Sequence, residues 1–346
     1  MIKDLELISD YYHYKEEYVL DGSDGYYLRL FKKLQRSISS DDLKTILNKI
    51  NNPYVNEFIS IMKNSGKEEY LNNLYSNLRI TKIIDCSLIQ KIIAKNTGTY
   101  GGNFYKNGMI ILLLGDKVKN DKDRVSLTPY HELLHLLTTK VENENIISIG
   151  LSSNTFGEGL NEGYTELLTK RYFGHLSPDD EEMYNLHMWY SKMIEEILGK
   201  DILEKCYFEV NQFMFIKELS KYTDTQKVIE IICNLDYLFI NEDKIYVIEK
   251  EVIDNCNDRI DELKLLYDES LKIRNMVFDD LITIYKNKMQ ILLEKKEINE
   301  IEFSRYVEEY YSKHKKTKES MDNYYEVYND YFKEYYSKTL KNGKIN

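Results

Sequence analysis

The chain has 346 residues, enough for one large domain or two ordinary ones, and its 42% of hydrophobic residues can furnish a real core. A formal net charge of −11 argues against general binding to nucleic acid or to an anionic membrane surface. Only 3 Pro and 15 Gly punctuate it, so long stretches without turn signals point to a mostly helical protein.

Residues 1–77 read as a helical, polar N-terminal region, with helix-like pieces over 41–50, 54–63 and 67–77. His13 sits among tyrosines and reads as structural. The opening residues Met1 to Glu6 lack the basic start and apolar stretch of a secretory signal. No apolar run approaches the roughly 20 residues of a membrane span. Cys86, Cys206, Cys233 and Cys256 show no C-x-x-C spacing and are most simply free thiols, with Cys233 in a helical core. These features together place the protein in the cytoplasm. The wealth of Lys, Asn, Ile and Tyr suggests an AT-rich bacterial genome.

Residues 78–176 carry the chemistry. Gly98 to Asn103 suggests a tight turn, without the glycine order or flanking pattern of a nucleotide site. Met109 to Leu114 is a short apolar run with the look of a buried or edge strand, and a polar loop follows to Ser126. Thr128 and Pro129 read as N-cap and first helical position of a helix over 129–139. That helix holds His131-Glu132-Leu133-Leu134-His135, an H-E-x-x-H pattern in a chain with only six histidines. Residues four apart share a helix face, so two imidazoles so placed can bind one Zn2+, and a carboxylate beside the first can reach a water on the metal. The bland alternative is two core histidines satisfied by hydrogen bonds.

Two histidines need a third protein ligand. The best candidates lie on a second helix over 160–173, with Leu160, Tyr164, Leu167, Leu168 and Tyr172 on one side. Glu162 and Glu166 are four apart and share another face. One carboxylate can bind the metal while the other accepts the N–H of a ligating imidazole and fixes its tautomer.

HELLH followed by N-E-G-Y-T-E resembles the gluzincin class of zinc metallopeptidases, which includes the thermolysin-like and alanyl-aminopeptidase-like enzymes. The stretch GLNEGYTELLTKRYFG is also similar to uncharacterised proteins of low-GC Gram-positive bacteria. The likeness covers roughly residues 97–174, under a quarter of the chain, and the 26 residues between His135 and Glu162 exceed the class's shortest spacings. It implies that His131, His135 and Glu162 bind zinc, that Glu132 is the general base, and that Glu166 orients a ligating histidine. By analogy with the class, a peptide substrate would add to the edge of the strand 108–114. The implied chemistry is hydrolysis of a peptide bond by a metal-activated water. Tyr164, His175, His187 and Tyr207 are the candidate donors to the oxyanion, each equally readable as a packing or surface residue. No G-x-M-E-N-like exopeptidase motif is present, which leans toward an endopeptidase.

Residues 177–346 read as a helical C-terminal region. Ser177-Pro178-Asp179-Asp180-Glu181 is a helix start. Helices are expected over 184–198, 202–222 and 225–235, then a small hairpin over 237–248 turning at Asn241 to Lys244. Further helices are expected over 252–267, 271–294 and 301–313. A final one carries Met321, Tyr324, Tyr328, Tyr331 and Tyr335 at spacings of three and four. That aromatic stripe reads as a face packed on its neighbours or as a surface for self-association.

The expected fold is therefore mainly α with a small β-sheet (α+β), a zincin-like catalytic core followed by a helical C-terminal region. The expected function is a zinc-dependent peptidase acting on peptide or protein. The competing reading is a helical binding or regulatory protein whose zinc site is structural or catalytically inactive.

Overall fold

In a computed structural model, the described residues are 52–84, 102–106, 109–113, 127–142, 145–154, 156–177, 185–253 and 260–342. They form a mostly helical protein with small sheets, the mainly α architecture with a little β that the composition called for. The chain divides into two compact units, Met1–Ile147 with Tyr172–Asp180, and Ser148–Arg171 with Glu181–Asn346. The helix expected over 41–50, His13, the Gly98 turn as far as 101, the loop 115–126 and the helix start at Pro178 lie outside the described residues.

The first unit begins with α1 (Pro53–Asn64), whose N-cap Asn52 accepts hydrogen bonds from the Tyr54 and Val55 amides, at 3.0 and 3.4 Å. Pro53 occupies the first turn, where its missing N–H costs nothing. Val55, Phe58, Ile59 and Met62 form its buried face. A 3-10 turn (Glu68–Tyr70) leads into α2 (Leu71–Arg79). A mixed sheet follows, from β1 (Thr81–Ile84), β2 (Gly102–Lys106) and β3 (Met109–Leu113), in the order β1-β3-β2. β1 runs parallel to β3, Thr81 opposite Ile110, and β2 runs antiparallel to it, Phe104 opposite Ile111.

This order corrects one expectation. β3 is the central strand and is paired on both edges, so no peptide can add to it. Its continuous apolar run fits that place better than an edge.

Next comes α3 (Thr128–Leu137), in which every residue from Pro129 to Leu137 is buried. Its N-cap is Leu127, one residue before the expected Thr128, and Pro129 still falls within the first turn. The helix stops at Leu137 because Thr138 and Thr139 turn their side chains back on the last turn, as described below. The 26 residues before Glu162 hold β4 (Thr139–Glu142), β5 (Asn145–Ile149) and β6 (Ser152–Ser153), a second three-stranded sheet in that order. The long spacing thus holds three short strands, which the alternation-poor sequence TKVENENIISIGLSS did not announce.

The second unit contains most of α4 (Glu158–Phe173), then α5 (Asn185–Leu198), α6 (Lys200–Phe208), α7 (Gln212–Leu219), α8 (Thr225–Ile253), α9 (Ile260–Glu294) and α10 (Glu300–Asn342). The helix expected over 202–222 is two helices. Val210 adopts a left-handed φ of 52°, and Asn211 caps α7 by accepting from the Met214 amide at 2.9 Å. The hairpin expected over 237–248 is absent, and α8 runs straight through it. Leu235, Leu238 and Ile245 are buried at helical spacing, and the polar Asn241 that resembled a turn residue is itself buried. From residue 260 on, the helix expected over 252–267 is continuous with the one expected over 271–294 in α9, and the helix expected over 301–313 is continuous with the one carrying Met321 in α10.

α9 and α10 are joined by a short turn in which Lys296 takes a φ of 59°. Asn299 and Glu302 then close a reciprocal capping box: the Asn299 side chain accepts from the Ile301 and Glu302 amides, and the Glu302 carboxylate accepts from the Asn299 amide. The core of this unit is aromatic. Trp189 stacks on Phe278 and donates its indole N–H to His314 Nδ1 at 3.1 Å, leaving His314 Nε2 to donate to Glu196 at 3.1 Å. Burial works against the charge of Glu196, but His314 and Lys313 outweigh it and hold the carboxyl below its ordinary range. Tyr310 stacks on Tyr285 and donates to the Met193 carbonyl, while Lys288 reaches the Ile197 carbonyl at the end of α5. Cys206 is buried and Cys233 half-buried; both are free thiols pushed up to about 11 by burial. The tyrosines of the C-terminal stripe lie beyond the described side chains, and Met321 is half-buried. Among the described residues no helix is long and apolar enough to cross a membrane.

Candidate metal centre

α3 is held so that its two histidines point one way. Tyr130 anchors it: its ring stacks on Phe173 at 4.8 Å, meets Tyr54 edge-on, and its hydroxyl donates to Glu57. Burial, then Glu57, pushes the Tyr130 hydroxyl far above its ordinary pKa, so it remains a donor. Phe173 in turn stacks on Phe58 of α1.

A buried helix end must satisfy its last four carbonyls. Here each finds a partner. Thr138 Oγ1 donates to the Leu134 carbonyl at 3.0 Å and Thr139 Oγ1 to the His135 carbonyl at 2.7 Å. Asn77 of α2 donates to the Leu136 carbonyl at 2.7 Å, and Asn73 to the Leu137 carbonyl at 2.6 Å. Both asparagines also reach the Thr139 carbonyl. Asn73 and Asn77 are positional residues that sequence reasoning missed. The available signal was two asparagines four apart on an otherwise patterned helix.

On this braced helix His131 and His135 are 2% and 6% exposed, and Glu132 is 9% exposed. The two Nε2 atoms lie 3.0 Å apart, with the rings inclined at 71°. Two nitrogens bound to one tetrahedral zinc at about 2.0–2.1 Å lie about 3.3 Å apart, so the pair already has nearly the bite a zinc ion requires. Among the described residues, one group of side chains could hold a metal ion: His131, His135 and Glu162, whose ligand atoms lie within 4.8 Å of one another.

Glu162 is half-buried on α4, and Glu166, one turn further on, is buried. α4 is tied on several sides. Asn161 Oδ1 accepts the Leu151 amide at 3.0 Å, and Thr165 shares a hydrogen bond of 2.8 Å with Tyr207. Arg171 makes a two-pronged contact with Glu195 and a further bond of 2.8 Å to Glu204. Glu195 and Glu204 offset the cost of burying Arg171 and hold it charged.

Two of the four candidate oxyanion donors, Tyr164 and Tyr207, meet edge to face at 5.5 Å. Tyr164 is buried and donates its hydroxyl to Glu195 at 2.9 Å; burial, then Glu195, raises its pKa well above the ordinary value. The Tyr207 hydroxyl is engaged with Thr165. His187 is buried, with Nε2 at 3.1 Å from the Leu235 carbonyl and Nδ1 at 3.5 Å from Glu242. Burial disfavours its charge, but Glu242 and the Leu235 carbonyl outweigh this and raise its pKa. His175 is exposed in the 3-10 turn Gly174–Leu176. The structure brings together ligand atoms of His131, His135 and Glu162. No family model, curated protein or solved structure matches the chain.

Proposed function

We propose that this chain is a zinc-dependent peptidase of the gluzincin kind, with His131, His135 and Glu162 as zinc ligands and Glu132 as general base. The observation that carries the reading is the grouping of three ligand atoms around the buried, converging imidazole pair. A hydrogen bond from one Nε2–H to the other Nε2 would also suit 3.0 Å. A carboxylate oxygen within 4.8 Å of the imidazole ligand atoms adds a third donor that a shared cation could use. Zinc suits a set of two imidazoles and one carboxylate, and three protein ligands are the number that catalytic zinc sites keep, with the fourth position left open.

A zinc ion held there would polarise the scissile carbonyl and bring a water's pKa to about 7. The carboxylate of Glu132, next in the chain to His131, takes the proton of the attacking water and passes it to the leaving amine nitrogen. Glu166, buried one turn beyond Glu162, accepts an imidazole N–H and holds that ring in its ligating tautomer. Peptide or protein is the substrate in this reading. The charge of −11 disfavours nucleic acid as a partner, and free thiols suit action in the cytoplasm.

Digestion of a broad peptide library by zinc-loaded protein tests the proposal. Cleavage is expected, is lost when a chelator strips the metal, and returns on adding zinc. A zinc-loaded protein that cleaves no peptide would leave the helical binding protein with an inactive zinc site as the reading to adopt.

A further inference from the structure

We infer that Asp236 is a positioning residue for the metal site: with a glycine-lined seat on α4, it fixes the height and rotation of Glu162. This rests on the zinc reading above. α4 opens at Gly157, in a left-handed conformation of φ 92° that favours glycine. Its first amides need acceptors. The acceptor is not a neighbouring cap residue but Asp236, in the middle of α8. Its two carboxylate oxygens take the Gly157 amide at 2.7 Å and the Gly159 amide at 2.8 Å. Asp236 is 1% exposed, so this is a buried, two-pronged charged bond at the positive end of a helix. It sets the helix's position along its axis.

Rotation is set by Gly159 and Gly163. These are four apart and share one face of α4. A Cβ on Gly159 would stand 2.4 Å from the Leu235 carbonyl oxygen, and one on Gly163 would stand 2.3 Å from the His187 backbone. The backbone of α4 therefore rests directly on α8 and α5. His187 Nε2 ties those two supports together by its bond to the Leu235 carbonyl. Glu162 lies one residue before Gly163, about 100° around the helix, so seating the glycine face aims the carboxylate. A one-residue register error or a modest roll would turn it away from the two imidazoles. None of these supporting groups is a metal ligand, and the H-E-x-x-H pattern contains none of them.

The test is zinc affinity, measured by competition with a chromophoric zinc chelator at a temperature well below unfolding. Asp236→Asn keeps one acceptor and replaces the other with a donor facing an N–H. It is expected to weaken zinc binding about 10- to 100-fold. Phe278→Leu, a core change beside Trp189, serves as a comparably destabilised control and is expected to bind zinc as the parent protein does. Should Asp236→Asn fail to fold, Asp236→Glu keeps the charge but moves it by one methylene; a weaker loss of affinity is expected. Parent-like affinity in the folded Asp236 variant overturns the inference, as does equal weakening in Phe278→Leu, which would mark general loosening. A parent protein that binds no zinc at all removes the zinc reading itself, a result distinct from either.

Discussion

Glu132→Gln is expected to lose peptide cleavage by at least about 100-fold while keeping its zinc, since a positioned general base contributes roughly 10²- to 10⁴-fold. The substitution is nearly isosteric and the hydrogen bonds that close the helix end involve other residues, so the fold should persist. Zinc should persist because Glu132 is not among the three grouped ligands. Cleavage rates and zinc content measured on the same preparation separate the roles. Equal cleavage by the variant would remove Glu132 from the chemistry. Loss of zinc along with cleavage would make it a ligand or a support instead.

Gly163→Ala is expected to destabilise the protein by about 2 kcal/mol or more. The sign is the informative part. In an exposed helix interior the same change stabilises by about 0.5–1 kcal/mol, because alanine is the better helix former. Here the new methyl would sit 2.3 Å from the carbon and oxygen of the His187 backbone, which cannot swing aside as a flexible side chain could. Overpacking of this kind costs typically 1–3 kcal/mol, and a clash with backbone belongs at the upper end, so it outweighs the propensity gain. Urea unfolding followed by the fluorescence of Trp189, the chain's single tryptophan and two residues from the clash, reads the change. A variant as stable as the parent would mean that α4 and α5 do not cross this closely.

Much of this was legible in the chain. The helical character followed from scarce Pro and Gly, and α1, α3, α4 and α5 fall within about two residues of the patterns that announced them. The pairing of His131 with His135 and of Glu162 with Glu166 was readable from helical spacing, while the choice of Glu162 as the candidate ligand came from the gluzincin resemblance. What could not be read was long-range. Asp236 caps α4 from 77 residues away, and Asn73 and Asn77 close α3 from about 60 away, with nothing in their local spacing to say which helix end they reach. Turn-like polar residues misled where burial decided otherwise. Asn241 lies inside α8 because the apolar positions on either side keep a single helical stripe. The break at Val210 was invisible for the opposite reason, since helical apolar spacing over 202–222 continues across a left-handed residue. The strands β4 to β6 are short and mostly polar, and their pairing is a tertiary matter rather than a local preference.

Zinc content by mass spectrometry, measured on the purified parent protein beside His135→Ala and Glu162→Ala, bears most directly on the proposed metal centre. About one zinc per chain in the parent, little in His135→Ala and much less in Glu162→Ala, is the result expected. No zinc in the parent after metal-replete expression would contradict it and leave two buried histidines sharing a hydrogen bond.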